Sequence, residues 1–475
     1  MWLLAGVVLL VLAACSSRPP TPPRVALSAC TLTDSIAARC GRVPVPQDWA
    51  HPDGAQLPLW VAVVPATDPQ PARDPLFYLA GFGGAATRDA SWALQTFKQL
   101  HTTRDLVFID QRGTGSSGRQ TCTGLLPSPG TKLDTAALRV AVQRCLASAA
   151  RDPRHDTTAA AVRDLDRVRV ALGYDRINLY GGSYGVSAGL AYLQRYGSHV
   201  RTAVFDSGSL LDVPLWQLVP TSAQQAFDQL ARRCARTPVC AASNHPQADL
   251  AAVVRRLRAH PANVVAPVGA GQQTITIDLP GFLNFVIDGY LASPQTAVLL
   301  PADLHTIARG DWSTVLRRRV DLIAAAIQAS SAPTQLQQLT IRCSDAWAAM
   351  SPRDIAAQAP RSLFTAQSLH EAELQRAVCA NWPHDPGVSG AVTSDAPVVF
   401  LNGSADPADP PANVAAAPGT MPHAMVVTVP DAAHGVVTEG CLLALVTRFI
   451  QSAQPTDRAN WAACAWPSSL PAFSA

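Results

Sequence analysis

Charge is scarce in this chain. Asp, Glu, Lys and Arg together make up 15% of its 475 residues, the net charge is +3, and no run of more than three basic residues occurs. Proteins that bind nucleic acid neutralise phosphates with clustered Lys and Arg, so we expect no nucleic-acid partner. Hydrophobic residues make up 48%, an ordinary globular composition at a length that allows a large core.

Metal-binding patterns are missing as well. The sequence has no C-x-x-C and no H-E-x-x-H spacing, which are patterns typical of zinc sites. No internal repeat is visible either. We therefore expect a chemistry that uses side chains alone and needs neither a metal nor a cofactor.

The apolar run Trp2 to Ala14 falls short of the roughly 20 residues that a membrane-spanning helix needs. It predicts a signal peptide over residues 1–14. Leu12-Ala13-Ala14-Cys15 resembles the bacterial lipobox, which implies lipidation of Cys15 and a lipid-anchored, Pro-rich tether over residues 15–29. The expectation is an exported lipoprotein that faces the periplasm or the cell exterior. No Lys or Arg precedes the run. A plain cleavable signal with an incidental Cys15 is the alternative.

Cysteine, by contrast, is plentiful. Setting Cys15 aside leaves ten cysteines, an even number, and an exported protein meets an oxidising compartment. Connectivity cannot be read from sequence alone. The cysteines nevertheless fall into near neighbours, and we predict five local disulfides: Cys30 with Cys40, Cys122 with Cys145, Cys234 with Cys240, Cys343 with Cys379, and Cys441 with Cys464.

Short apolar strand patterns alternate with helical patterns in two parts of the chain, residues 30–210 and 386–475. Between them, residues 211–385 carry mainly helical patterns. Strands that alternate with helices form a mostly parallel sheet covered on both faces. We therefore predict an α/β fold in two sequence segments, with a mainly helical lid inserted between them.

The segment Ile177-Asn178-Leu179-Tyr180-Gly181-Gly182-Ser183-Tyr184-Gly185 places Gly-x-Ser-x-Gly directly after a strand pattern. A helix-compatible stretch follows it. This order is typical of the nucleophile elbow of α/β-hydrolases, in which glycines let strand and helix approach closely. We predict that Ser183 is a catalytic nucleophile. A Gly-rich turn that binds nothing is the alternative.

A serine nucleophile needs a base, and the base needs an orienting carboxylate, in the chain order Ser, Asp or Glu, His. Asp406 and His434 follow the last two strand patterns, and parallel strands bring their carboxyl ends to one edge of a sheet. We predict the triad Ser183, Asp406 and His434. Asp206, at the end of the strand after the elbow, is the alternative acid, whereas Asp409 is interpreted as a loop residue.

An oxyanion hole needs two backbone N–H donors. Tyr184, directly after the nucleophile, is the expected first donor. The second is expected from the Gly-rich turn that follows the strand pattern 76–79, with Phe82 favoured over Gly83. A plain turn without this role is the alternative.

Together these motifs resemble the prolyl iminopeptidase and tripeptidyl aminopeptidase family of α/β-hydrolase serine peptidases. The similar segments, in chain order, are residues 40–49, the turn Asp110-Gln111-Arg112-Gly113-Thr114-Gly115-Ser116-Ser117, residues 164–185, residues 342–345 and 379–382 of the lid, and a tripeptidyl-aminopeptidase-like region from Asp406 through Cys464. Two positions depart from the family. It usually has Pro between the glycines of the oxyanion turn, and it often has Thr before Pro where this chain has Asp409.

The resemblance implies a serine exopeptidase that shortens peptides from the N-terminus through an acyl-enzyme on Ser183. His434 would act as base and then acid, and Asp406 would fix its tautomer. Peptide would be the substrate, the membrane would be contacted through the lipid anchor only, and the oligomeric state stays open. A carboxylesterase or lipase-like hydrolase on the same triad is the alternative, because the pocket decides the substrate. The chain contains Ser, Asp and His in the order that the triad requires, and this argues against a binding protein without catalytic activity.

The resemblance also suggests a lid glutamate that binds the substrate amine. The chain has only three glutamates, and Glu439 belongs to the closing helical region, which leaves Glu371 and Glu373. Residues two apart on a helix point in different directions, so at most one should face the pocket. Two alternatives stay open: both are solvated helix charges, or a lid aspartate such as Asp345 does this work.

Overall fold

The computed structural model describes residues 25–125, 133–268, 271–322, 334–454, 457–467 and 470–473. The expected signal peptide and the lipidation site Cys15 lie outside these residues. Within them, no helix combines the length and the apolar character that a membrane span requires.

A nine-stranded sheet, counted over the described residues, forms the centre of the fold, in the order β1-β2-β3-β5-β4-β7-β8-β12-β13. The six strands from β5 to β13 in that order pair in parallel, and β1, β2 and β3 add an antiparallel edge. The predicted α/β class is confirmed. The sheet strands are β1 (Ser28–Thr31), β2 (Ala37–Pro46), β3 (Gln56–Val64), β4 (Leu76–Leu79), β5 (Leu106–Ile109), β7 (Ile177–Gly182), β8 (Val200–Asp206), β12 (Val398–Gly403) and β13 (Ala424–Val429).

The burial of each strand follows from its place in the sheet. β12, between two neighbours and covered on both faces, is buried at all positions, and its sequence VVFLNG begins with an unbroken apolar run. β2 lies near the antiparallel edge and alternates exposed with buried residues over its first half. This contrast is expected of parallel and antiparallel pairing, respectively.

Helices cover both faces of the sheet. On one face, Thr158–Leu172 and Tyr184–Tyr196 pack with buried residues such as Val168 and Leu190. The opposite face is covered mainly by Ala90–Thr96 and Leu442–Ser452. The helices of this core are Ala90–Thr96, Lys98–His101, Thr135–Ser148, Thr158–Leu172, Tyr184–Tyr196, Ala417–Thr420, Leu442–Ser452 and Arg458–Cys464, with short 3-10 helices at Thr33–Ser35, Ala86–Asp89, Pro153–His155, Gly197–His199 and Pro411–Val414.

The segment between β8 and β12 is mainly helical, as predicted, and builds its own apolar core. It also contains one antiparallel hairpin, β9 (Ala262–Val268) with β10 (Gly271–Ile277). A short strand β11 (Thr334–Gln335) pairs with β6 (Thr121–Cys122) and joins this lid to the first part of the core. The lid helices are Leu215–Arg236, Pro238–Ala241, Pro246–Ala259, Leu279–Asn284, the π-helix Phe285–Leu291, Pro294–Ala297, Leu300–Ala308, Trp312–Arg318, Leu336–Ser344, the 3-10 helix Ala346–Ala348, Pro352–Ala356 and Thr365–Cys379.

All five predicted cysteine pairs are bonded, namely Cys30–Cys40, Cys122–Cys145, Cys234–Cys240, Cys343–Cys379 and Cys441–Cys464. Two of them lie in the lid. One of these, Cys343–Cys379, joins the ends of the helices Leu336–Ser344 and Thr365–Cys379. Such cross-links restrict the unfolded chain and so stabilise the folded one.

A buried ion pair joins the Asp110–Ser117 turn to the helix Thr158–Leu172. Arg112, from the Asp110–Ser117 turn, is fully buried and donates to both oxygens of Asp164 at 2.7 Å. Its remaining N–H groups donate to the backbone oxygens of Pro46, Gln47 and His155 at 2.9–3.0 Å. This single side chain therefore links its own turn and two further segments, Pro46-Gln47 and the one at His155, to the helix that carries Asp164.

Candidate active site

The Gly-x-Ser-x-Gly segment forms a tight turn between β7 and the helix Tyr184–Tyr196. Ser183 adopts φ 55° and ψ −124°, a conformation that non-glycine residues rarely adopt. The flanking glycines provide space. A Cβ on Gly181 would lie 2.4 Å from the Gly185 oxygen, and one on Gly185 would lie 2.3 Å from the Leu79 oxygen. The turn thus has the geometry that a nucleophile elbow requires.

Asp406 and His434 meet beyond the carboxyl ends of β12 and β13. His434 Nδ1 lies 2.8 Å from Asp406 Oδ2, and Asp406 Oδ1 accepts the backbone N–H groups of Ala408 and Asp409 at 2.9 Å each. Asp406 is only 1% exposed. A carboxylate on Nδ1 favours the tautomer that leaves Nε2 free to act as a base.

The charges of these two residues reinforce each other. Burial would raise the pKa of Asp406, but the neighbouring His434 holds that pKa below its ordinary value. Desolvation by the surrounding protein would lower the pKa of His434, but the charge of Asp406 and the hydrogen bond to it outweigh this effect and raise that pKa. An imidazole of raised pKa is a better proton acceptor, as activation of a serine hydroxyl requires.

The dipeptide Asp206-Ser207, at the end of β8, anchors both the elbow and the histidine loop. The Ser183 N–H donates to the Asp206 carbonyl oxygen at 2.9 Å. Gly435, directly after His434, donates its N–H to Ser207 Oγ at 2.8 Å. The two segments that carry the predicted nucleophile and base are thereby held to the same two residues.

Asp206, the alternative acid, has other partners. Its carboxylate accepts the N–H groups of Val436 and Val437 at 2.8 and 3.1 Å and the hydroxyl of Tyr180 at 2.9 Å. These contacts hold the loop after His434 in position. The acceptor for the Nδ1–H of that histidine is instead Asp406.

The Gly-rich turn after β4 borders the elbow. A Cβ on Gly81 would lie 3.8 Å from the Cβ of Ser183. Gly84 donates its N–H back to the Gly81 oxygen at 2.9 Å, which leaves the two intervening amides, the predicted oxyanion donors, outside that hydrogen bond. Tyr184 begins a helix, and an N–H of the first helical turn has no acceptor within its own helix.

Of the two predicted lid glutamates, Glu371 is the one near this turn. Both lie on the helix Thr365–Cys379, where Glu373 is exposed and Glu371 is half-buried. Glu371 Oε2 lies 3.3 Å from Arg342 Nη1. The Arg342 guanidinium also lies 5.8 Å from the centre of the Phe82 ring, so this ion pair sits beside the predicted oxyanion segment.

Asp288 is an acidic residue of the lid that the sequence analysis missed. It lies on the π-helix Phe285–Leu291, and Asn284 Nδ2 donates to it at 3.0 Å. Its side chain is exposed, yet enough protein surrounds it that desolvation raises its pKa, helped by the charge of Glu371, while His434 lowers it. A carboxylate whose pKa is perturbed by burial and by neighbouring charges is a candidate for a functional role. Its one sequence signal was a lone acid within an apolar run.

Asp345, the other lid candidate, is engaged inside the protein. It is 3% exposed, and it accepts hydrogen bonds from Thr158 Oγ1 at 2.5 Å, Trp347 Nε1 at 3.0 Å and the Val388 N–H at 3.1 Å. Burial raises the pKa of Asp345 to about 6. With both oxygens occupied, this carboxylate serves the packing of the lid on the core.

Two groups of side chains bring three potential metal ligands within 4.8 Å of one another in the described part of the chain. They are Asp48 with His155 and Asp385, and Asp406 with Asp409 and His434. In each group the histidine Nδ1 is hydrogen-bonded to a carboxylate, at 2.6 and 2.8 Å respectively. Both histidines therefore have a protein partner.

One class of enzymes that hydrolyse through a serine is built in this way, with the elbow on a parallel sheet and the aspartate and histidine after later strands. The fold and the site thus define a serine hydrolase. Residues 74–274 match the family model described as alpha/beta hydrolase fold, and residues 367–460 match the one described as TAP-like protein. The chain belongs to the α/β-hydrolase family.

Three curated relatives show the extent of the similarity. A tripeptidyl aminopeptidase of Streptomyces lividans is 32% identical over 192 residues, 36% of this chain and 35% of that enzyme. A serine protease of Mycobacterium tuberculosis is 29% identical over 226 residues, 43% of this chain and 42% of that protease. Carboxylesterase B of M. tuberculosis is 30% identical over 427 residues, 78% of this chain and 76% of that protein. The match to the two peptidases thus spans less than half of their length.

Proposed function

We propose that this protein is an exported serine exopeptidase that removes residues or short peptides from the N-terminus of peptide substrates. The observation that carries the proposal is the position of two lid carboxylates, Asp288 and Glu371. Asp288 lies on the helix Phe285–Leu291, and Ala292, directly after that helix, accepts the His434 N–H at 3.3 Å. Glu371 pairs with Arg342, whose guanidinium lies beside the Phe82 ring. A peptide N-terminus is an ammonium ion that loses water when it binds, and a carboxylate offsets that loss. An ester substrate needs no such group.

The proposed reaction uses the predicted triad. Ser183 Oγ attacks the carbonyl carbon of the scissile amide while Nε2 of His434 takes its proton, and Asp406 stabilises the resulting imidazolium. The N–H of Tyr184 and one of the turn after β4 bind the oxyanion. His434 then gives the proton to the leaving amine. Water, deprotonated by the same histidine, hydrolyses the acyl-enzyme.

Neutralising the lid carboxylates provides the test. Asp288→Asn and Glu371→Gln are each expected to lower kcat/KM for a peptide with a free N-terminus by roughly 10- to 100-fold, since a hydrogen bond to a charged group contributes about 1.5–3 kcal/mol. Hydrolysis of a simple ester should change little. The measurement compares fluorogenic peptides, their N-acetylated forms and a p-nitrophenyl ester on each variant.

Glu373→Gln is the matched control for this test, because Glu373 lies on the same helix but is exposed. It should leave all three substrates unaffected. Equal losses on peptide and ester from Asp288→Asn and Glu371→Gln, or no loss from either, would count against recognition of an N-terminal amine.

The second candidate is a carboxylesterase on the same triad. The observation that favours it is the similarity to carboxylesterase B over 427 residues. Peptidases and esterases share this fold and this triad, so the pocket decides between them. A wild-type enzyme that cleaves the p-nitrophenyl ester but none of the peptides would support this candidate.

Lipid anchoring through Cys15 is part of the proposal and rests on the sequence Leu12-Ala13-Ala14-Cys15. When the full-length gene is expressed in a bacterium, intact-mass analysis is expected to find Cys15 as a lipidated first residue, with the protein in the membrane fraction. Cys15→Ser should release the enzyme without loss of activity. A wild-type protein that starts at another residue and lacks lipid would reject the anchor.

A further inference from the structure

A second carboxylate lies beside the catalytic histidine. Asp409 is 3% exposed, and its Oδ2 lies 3.9 Å from His434 Nδ1, compared with 2.8 Å for Asp406 Oδ2. The sequence analysis interpreted Asp409 as a loop residue. Its position shows that one imidazole nitrogen faces two aspartates.

The surroundings of Asp409 determine which of its oxygens can carry a proton. Asn413 Nδ2 donates to Ser209 Oγ at 2.9 Å, and Ser209 Oγ in turn donates to Asp409 Oδ1 at 2.6 Å. Oδ1 is therefore an acceptor. When Asp409 is protonated, its proton resides on Oδ2, the oxygen that lies nearer His434.

The charge balance around the imidazole favours one ionised aspartate and one protonated aspartate. Two adjacent buried carboxylates repel each other, so their protons leave in separate steps. Burial and the charge of Asp406 raise the pKa of Asp409 to about 7. Two further aspartates, Asp206 and Asp288, also act electrostatically on His434, but their carboxylates are hydrogen-bonded to Val436, Val437, Tyr180 and Asn284.

We propose that Asp409 is a reserve carboxylate of the triad, a positioning residue that holds the His434 imidazole and can replace Asp406 as the acceptor of the Nδ1–H. The inference rests on the proposed triad and deepens it. When the charge of Asp406 is lost, Asp409 releases its Oδ2 proton to solvent. Its Oδ2 then accepts the Nδ1–H after a movement of about 1 Å.

A double-mutant cycle with isosteric changes tests this idea. Loss of the only carboxylate of a triad lowers kcat by roughly 10⁴-fold. Because Asp409 remains, Asp406→Asn alone is expected to lower kcat by only about 10²-fold, and Asp406→Asn with Asp409→Asn should show the full loss of roughly 10⁴-fold. The activity of Asp406→Asn should also rise with pH as Asp409 ionises.

Asp409→Asn alone provides a second readout. Above a pH of about 7 Asp409 is ionised as well, and its charge then raises the pKa of His434. Asp409→Asn removes this charge, so it should move the acid limb of the kcat/KM profile to lower pH and shift the imidazole resonances in an NMR titration in the same direction. Asp409→Thr, which keeps a hydroxyl beside Ser209 but no charge, should give the same shift. Asp409→Thr replaces Asp409→Asn in the experiment if the asparagine variant does not fold. Circular dichroism monitors the folding of both variants.

Two outcomes would overturn the inference. Asp406→Asn could already show the full loss with no further effect of Asp409→Asn, or neither Asp409 variant could move the pH profile. Failure of the proposed triad would look different, because the double variant would then retain wild-type kcat and wild-type reactivity with a fluorophosphonate.

Discussion

Replacing Ser183 with alanine is expected to abolish turnover of peptides and esters alike, with a loss of kcat on the order of 10⁶. The loss is this large because His434 and Asp406 then have no nucleophile to activate. The variant should also fail to react with a fluorophosphonate, which bonds covalently to an activated serine hydroxyl. Alanine keeps the Cβ and can hold the same backbone conformation, so the circular dichroism spectrum and the melting temperature should stay close to wild type.

Ser187→Ala is the matched control, since Ser187 lies one turn further along, in the helix that Ser183 caps, and its side chain is buried. This variant should react with the fluorophosphonate and turn over substrate. Complete labelling of the Ser183→Ala protein would contradict the assignment, and mass spectrometry of the labelled peptide would then locate the true nucleophile.

Asp164→Asn is expected to cause the largest loss of stability, about 3–5 kcal/mol in the free energy of unfolding. The change keeps the shape of the side chain but removes the charge that compensates Arg112, whose side chain is fully buried. An uncompensated guanidinium in the core costs far more than a lost surface contact. Urea unfolding followed by tryptophan fluorescence measures the difference.

Asp152→Asn is the control for the effect of burial. Asp152 pairs with Arg154 at 2.7 Å, the same distance, but both side chains are about half exposed. Exposed pairs contribute about 0–1 kcal/mol, so this variant should unfold almost like the wild type. A similar small loss from Asp164→Asn would show that the buried pair does not stabilise the core.

The residues at strand ends were the part of the site that sequence reasoning could address. Ser183, Asp406 and His434 each follow a short apolar run, and a parallel sheet brings the ends of such runs together whatever lies between them. The disulfides could also be predicted from the sequence, because each links cysteines that are near neighbours in it.

The lid was harder to interpret because its helices carry no regular alternation that relates them to the sheet. Asp288 lies on a π-helix, where the usual helical spacing does not predict which way a side chain points. The contact of Asp409 with His434 depends on a loop conformation that Ser209 and Asn413 stabilise, and Ser209 lies 200 residues before Asp409 in the sequence. Neither feature leaves a pattern with a fixed period.

The attachment of the elbow and the histidine loop to Asp206-Ser207 has a consequence for how this enzyme can diverge. Because both segments are attached to the end of β8, a small displacement of this strand moves the Ser183 hydroxyl and the His434 imidazole together. The distance between these two groups therefore changes little. Glu371, by contrast, is paired with Arg342, another residue of the lid, at 3.3 Å. Substitutions in the lid can therefore change the substrate preference while the geometry of the triad is retained. The same triad can in this way act on different substrates.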